Sequence, residues 1–285
     1  MSIYFALQAG FFFACSHVLI RRGLVGSNAL TGSLISLTST ALISGALALA
    51  LVPRETFLTS AVWYFVLAGI FAPGLGRTLT YVGIERVGVA RSVPIVNSSP
   101  MFASILAVFV LGERWSLQNF LGTSLVICGV VILSRSHAEK TDWRLSDLFL
   151  PIAGALAFAI SSNLRKLGLE AENVPLAATA ITATTAAVFL WGTVFFQGGW
   201  SAIRLTRTSF RWLLAAGISN SIATISVFHA LSHGKVVVVE PLVAANPVLS
   251  ILLTAIFLRD LEVINRRVVV GALLTVAGTI LIVTL

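Results

Sequence analysis

Along this chain the apolar residues come in long runs, broken by brief polar punctuation. A bilayer-spanning helix needs roughly 17–25 mostly apolar residues. Ten segments meet that length: 3–20, 30–52, 61–84, 88–111, 117–133, 148–164, 175–196, 212–231, 236–258 and 268–285. Charges gather where the runs end. Arg21-Arg22 closes the first, Pro53-Arg54-Glu55 the second and Arg165-Lys166 the sixth, positions from which a long cation can snorkel to the headgroups. Trp115, Trp143, Trp191, Trp200 and Trp212 also stand near segment ends, where an amphipathic ring suits the interface. The second segment is rich in Ser, Thr, Gly and Ala, which let helix backbones approach closely. The first lacks a basic leader and an Ala-x-Ala site, so it reads as a span rather than a signal peptide.

One stretch occurs twice. Residues 93–133 and 240–283 share a pattern: a Pro-interrupted apolar helix, a tight charged turn, and a second helix with two glycines seven apart. Pro94 answers Pro241, Pro100 answers Pro247, and Leu111-Gly112-Glu113 answers Leu258-Arg259-Asp260. Beyond the turn, Gly122 and Gly129 answer Gly271 and Gly278. The repeat sits at half the chain length, which implies two similar halves rather than a solenoid. The predicted organisation is a first five-helix repeat over 1–134, a polar linker over 135–147 and a second five-helix repeat over 148–285. An odd number of spans per half makes the second half enter the membrane in the opposite direction. Such inverted repeats are common in secondary transporters, where the substrate lies at the repeat interface. Ten spans also place both termini on one side.

Composition agrees with a bilayer as the solvent. Hydrophobic residues make up 57% and charged residues 11%, against roughly 25% charged in soluble domains. The net charge of +8 does not point to nucleic acid, because the basic residues sit singly or in pairs with no basic face. Cys15 and Cys128 both lie in apolar runs and read as small buried residues, not a disulfide. Gly234-Lys235 lacks the other residues of a phosphate-binding loop, so ATP-driven transport by this chain alone is unsupported. No G-x-S-x-G or H-E-x-x-H occurs, so no enzymatic activity and no cofactor are expected. Asn97-Ser98-Ser99 is formally a glycosylation sequon, but it lies inside a span and before Pro100.

The Pro-containing helix ending in Leu111-Gly112-Glu113-Arg114, the Gly122/Gly129 helix after it, and the echo of both resemble the EamA-type members of the drug/metabolite transporter superfamily. The resemblance covers the whole chain. It implies an all-α basket of ten transmembrane helices around a central cavity, lined by spans one, three, four, six, eight and nine, with five and ten peripheral. Substrates in that superfamily range over amino acids, other metabolites, nucleotide derivatives and drugs. The second half departs from the pattern, with Leu258-Arg259-Asp260-Leu261-Glu262 at the turn.

Within spans, polar residues are the candidates for chemistry. A charge near the bilayer centre costs roughly 2.5–3.5 kcal/mol on insertion scales, so it faces the bundle interior. Arg77 lies about four residues past the middle of span three, roughly 6 Å off centre. It shares a helical face with Pro73, Tyr81 and Glu85. Arg77 reads either as a cavity cation that meets a carboxylate-bearing substrate or as a structural partner of Glu85 or Glu240. Glu85, at the span end, reads as interfacial. Glu240 is the carboxylate set most clearly within a span. It is a candidate proton carrier, a partner for Arg77, or a solvated residue near a helix start. Asn97 lies on the corresponding face of span four, and His229 in span eight aligns with Tyr81 in span three. His17, Asn163, Asn220 and Asn246 are weaker candidates that serve equally well as interhelical hydrogen bonders. No ligand spacing supports a metal at His17 and His229. Pro73, Pro94, Pro100, Pro241 and Pro247 are expected to kink their helices, each removing a backbone donor. The paired glycines read as a packing face, within the chain or between subunits.

The sequence therefore predicts a secondary transporter for a small polar organic solute, amino-acid-like or otherwise carboxylate-bearing, working by alternating access. Its partners are that small molecule and the lipid bilayer, with the proton as candidate coupling ion and the oligomeric state open. The expected location is the bacterial inner membrane. Two alternatives stand beside it: a proton-coupled exporter of lipophilic cations, and a lipid-handling or structural membrane protein. Small multidrug relatives carry a carboxylate in their first span, and neither span one nor span six here has one. Sidedness divides the arguments. With the termini inside, five basic residues fall on the cytoplasmic side and thirteen outside. Loop charge thus places the termini outside, whereas the family resemblance implies that they are cytoplasmic.

Overall fold

The computed structural model describes residues 1–87, 92, 95–134, 144–197, 199–257 and 266–284. Pro94, most of the polar linker and the turn containing Arg259, Asp260 and Glu262 lie outside the described residues. Twelve α-helices are described: α1 Ser2–Gly23, α2 Ala29–Leu51, α3 Val62–Gly69, α4 Gly76–Val87, α5 Ser99–Val110, α6 Leu117–Ser134, α7 Phe149–Ala171, α8 Pro175–Gln197, α9 Arg207–His233, α10 Val236–Ala244, α11 Asn246–Phe257 and α12 Arg266–Val283. Among the described residues, an isolated bridge between Ser27 and Leu205 is the only strand-like pairing. Helix starts follow local chemistry. Asn28 accepts from the Thr31 amide ahead of α2 (2.8 Å), and Thr206 accepts from the Ser209 amide ahead of α9 (3.2 Å).

Six helical segments among the described residues have the length and apolarity to cross a membrane: 2–26, 29–51, 62–84, 145–171, 175–196 and 207–233. The third is not a plain α-helix. A π-helical turn, Ile70–Leu75, joins α3 to α4 around Pro73, whose missing N–H disrupts the regular ladder. Four further apolar helices are shorter: 99–110, 117–132, 236–250 and 269–283. The Pro-interrupted spans expected over 88–111 and 236–258 are broken where the described residues show them. A turn at Asn97–Ser98 precedes α5, and Ala245 separates α10 from α11. Pro100 and Pro247 sit in the first turns of α5 and α11, where an amide would have no intrahelical acceptor in any case. Pro241 lies inside α10.

The interior is built from small residues. Ala9, Ala14, Ser16, Thr40, Ser44, Ala155, Ser161 and Ala216 are buried, while Phe109, Leu49, Phe196 and Leu273 point outward. This is the arrangement expected when the solvent is hydrocarbon and close backbone approach holds the helices together. Cys128 also faces outward and Cys15 is half-buried; both are free thiols. The sequence reading of Cys128 as buried fails because its helix turns Gly122, Val126 and Gly129 inward instead.

α1 packs along α9, and α7 packs against α3, α4 and α5. Hydroxyls lace these contacts: Ser16 donates to the Ala216 carbonyl (2.9 Å), Ser219 to Phe12 (2.8 Å) and Ser161 to Ala68 (2.8 Å). The repeated glycines explain each other. α6 lies on α12, and a Cβ at Gly129 would stand 2.6 Å from the Gly271 carbonyl oxygen; one at Gly278 would stand 2.6 Å from that of Gly122. The glycine face is therefore a contact between the two halves of one chain.

Candidate functional site

The polar candidates separate into two groups. In the first, α1 brings His17 toward α11, where its Nδ1 lies 3.4 Å from Ser250 Oγ. Arg77, on α4 just beyond the π-helical turn, is close enough for its charge to act on His17. Two elements distant in sequence thus bring one imidazole and one hydroxyl together, with the Arg77 cation within electrostatic range of the imidazole. Ser250 Oγ also donates to the Asn246 carbonyl one turn back (3.1 Å).

The second group surrounds Glu240 on α10. Ser162 of α7 donates its hydroxyl to Glu240 Oε1. One turn further along α7, Arg165 lays its guanidinium over the Phe228 ring of α9, 5.4 Å from the centroid. The Glu240 charge acts on Arg165. Arg165 Nε is buried and has no hydrogen-bond partner. This corrects the reading of Arg165-Lys166 as a snorkelling pair. Lys166 donates to the Leu231 carbonyl (3.0 Å) and stands 3.6 Å from Glu170, while its neighbour turns inward. Successive helical residues point about 100° apart, so a two-residue charge pair divides between two environments.

The other candidates make contacts of their own, although the Asn246 carbonyl also accepts from Ser250 of the first group. His229 Nδ1 is 2.9 Å from the Ile225 carbonyl, and its ring packs 5.3 Å from Phe5. Asn246 donates to the Val243 carbonyl (2.9 Å), leaving its buried Oδ1 without a partner. It lines a small cavity of about 160 Å³ with Gly10, Leu249 and Thr279. Asn97 stands half-buried in the turn before α5. Asn163 bridges α7 to the Ala103 carbonyl of α5 (3.0 Å), and Asn220 bridges α9 to Thr40 of α2 (3.1 Å), both as interhelical hydrogen bonders. The Tyr81, Glu85 and Pro247 side chains lie outside the described residues, as does Pro94 altogether. Among the described residues no cluster of three or more metal-ligating side chains occurs.

One residue outside the candidate set organises the second group. Gly112 turns the chain with φ +65°, a conformation that suits glycine. The turn delivers the buried Glu113 carboxylate to the start of α10. There Oε1 accepts from the Val236 amide (2.8 Å) and Oε2 from the Val237 amide (3.0 Å). The helix has no side-chain cap of its own at Lys235. A carboxylate at a helix N-terminus satisfies orphan amides and complements the helix dipole. Glu113 thereby anchors the helix that carries Glu240. The sequence signal was the Leu111-Gly112-Glu113 turn itself, but its partner 123 residues away was not readable.

Comparison with known proteins adds a family. A model described as the EamA-like transporter family matches residues 1–135 and 145–284. The chain is 28% identical over 144 residues to an S-adenosylmethionine uptake transporter of Rickettsia bellii, covering 48% of each protein. It is 33% identical over 69 residues to a probable 4-amino-4-deoxy-L-arabinose-phosphoundecaprenol flippase subunit ArnE of Pseudomonas fluorescens, covering 24% of this chain and 60% of that one. The matched region thus spans about half of each of these curated relatives. A solved crystal structure, 16% identical, superposes with a TM-score of 0.81 over 98% of this chain and 95% of the other; that likeness concerns fold alone.

Proposed function

The chain belongs to the EamA-like transporter family, and on that premise we propose that it is a secondary transporter that carries a small carboxylate-bearing organic solute by alternating access. The observation that carries the reading is the half-buried Arg165, whose Nε is fully buried. It holds an unsatisfied N–H over Phe228, within reach of the Glu240 charge. A desolvated guanidinium with a free donor is a binding element for a carboxylate, which it meets through paired N–H···O bonds. Glu240 supplies the opposite charge, so an amino-acid-like zwitterion finds a complement for each end. Arg77, with the His17 imidazole within range of its charge, is a second cationic element, which the solute meets at another stage of the cycle. Tyr81, Asn97 and His229 are assigned lesser polar contacts, and Glu240 is the candidate for proton coupling. The Rickettsia relative is named for S-adenosylmethionine, a solute with an amino-acid carboxylate and amine, which fits this charge pattern.

The same proposal includes ten spans in two inverted halves with both termini on one side, in a bacterial inner membrane. Cross-half contacts support it. Ser16 of α1 donates to Ala216 of α9, and Ser161 of α7 donates to Ala68 of α3, which stands at the corresponding place in the other half. Direction supports it too. Arg22 at the end of α1 covers Trp212 near the start of α9, whereas Lys166 near the end of α7 reaches Leu231 near the end of α9. The two first helices of the halves therefore run oppositely along α9.

The test is flux into proteoliposomes with S-adenosylmethionine, neutral amino acids, dicarboxylates and a lipophilic cation. Saturable uptake of a carboxylate-bearing solute, abolished in Arg165→Ala and recovered little in Arg165→Lys, is the expected result. Flux confined to the lipophilic cation and indifferent to Arg165 would overturn the proposal.

A further inference from the structure

Two cavities meet on Trp212, lined by none of the polar residues grouped above. One of about 340 Å³ is apolar and runs between α1, α9 and α11, lined by Cys15, Val18, Leu19, Arg22, Trp212 and Leu253. The other, of about 440 Å³, lies at the start of α9 and is lined by Arg207, Thr208, Arg211, Trp212 and Ala215. The two helices α9 and α11 that wall the first also expose the apolar Leu214, Ile218 and Leu252, a surface suited to hydrocarbon. An occupant therefore enters it from the bilayer, not from water. The second lies where α1 ends and α9 begins, the level at which helices read as spans reach the headgroups, and offers Arg207 and Arg211 as exposed cations. Arg22 lies over the Trp212 ring at 5.1 Å, so a third cation is held at the junction between the two cavities.

We infer that this crease binds an anionic phospholipid, with an acyl chain along Val18, Leu19 and Leu253 and the headgroup phosphate against Arg207 and Arg211. The shape is that of the ligand: an apolar slot continuous with the membrane core, roofed by an aromatic ring and capped by positive charge. Basic pockets between spans on one side of a membrane recognise anionic headgroups in this way. The other end of α9 lacks the arrangement, because there the cation over the aromatic ring, Arg165, is turned inward. A bound lipid would fill the slot between α1 and α11, two helices that also carry His17 and Ser250.

The purified, delipidated full chain is titrated with phosphatidylglycerol, phosphatidylcholine and inorganic phosphate, with lipid retention read by native mass spectrometry and thermal stabilisation read alongside. Phosphatidylglycerol is expected to be retained in preference to phosphatidylcholine. Each basic residue near the surface is worth about fivefold, so Arg207→Gln with Arg211→Gln should cut phosphatidylglycerol retention about thirtyfold. Arg114→Gln, an exposed cation beyond the opposite end of α9, should leave retention unchanged. Leu19→Trp fills the apolar slot and should reduce retention of both lipids; Leu253→Trp fills it from the facing wall if the first variant does not accumulate. Equal retention of the two lipids by the wild type overturns the inference. So does a preference that survives in the double Arg variant, or stabilisation reproduced by inorganic phosphate alone.

Discussion

Replacing Glu113 tests the link between the repeated turn and the Glu240 helix. Its carboxylate accepts from the Val236 amide at 2.8 Å and from the Val237 amide at 3.0 Å, and it is only 8% exposed. A hydrogen bond to a charged group contributes about 1.5–3 kcal/mol, and a buried donor left unpaired carries its own penalty. Two such bonds end in Glu113→Ala, and α10 has no side-chain cap at Lys235 to replace them. The expected loss is about 3–5 kcal/mol, the lower part of the sum, because a vacated site at a helix end admits water. Glu113→Gln keeps one acceptor oxygen and places an amide N–H₂ against the other donor, so about half that loss is expected. At roughly 2 °C per kcal/mol for a chain of this size, the melting temperature in detergent should fall by about 6–10 °C for Ala and about 3–5 °C for Gln. Hydrogen exchange at Val236 and Val237 should accelerate in the same order. An Ala variant that melts within about 1 °C of the wild type, with those amides still protected, would refute the capping account.

Four further expectations are independent of this one. Arg77→Ala should abolish uptake while membrane accumulation stays near wild type, and Arg77→Lys should recover little, since Lys lacks the planar fork; an Ala variant that transports normally removes Arg77 from the site. Glu240→Gln should still bind solute but lose dependence on a pH gradient, and measured gradient dependence in that variant would exclude Glu240 from coupling. Gly129→Leu should lower accumulation strongly, because a side chain there meets the Gly271 carbonyl and Thr275; undiminished accumulation would show that α6 and α12 can separate. Paired reporter fusions at Leu285 and within 135–147 should report from opposite sides of the membrane, and both reporting from one side would sink the five-plus-five scheme.

The sequence by itself determined the solvent and the class. Long apolar runs with charges at their ends can satisfy their backbone amides only as helices in a bilayer, whatever their neighbours are. The Leu111-Gly112-Glu113 turn, the paired prolines and their echo led to the expectation of two related halves, because such marks do not depend on context. Tertiary structure alone decided which partners those marks meet. Arg165 and Lys166 are equivalent in sequence, yet one stacks on Phe228 near Glu240 and the other binds a backbone carbonyl. Pro100 and Pro247 read as interruptions of a helix, and only the structure put each in the first turn of a following helix. Gly129 announced a close approach without naming Gly271, and Glu113 a turn without naming Val236. Periodicity and length are local properties of one segment. A contact between residues more than a hundred positions apart exists only once several helices have packed, and there the direction of each side chain, not its type, sets its role.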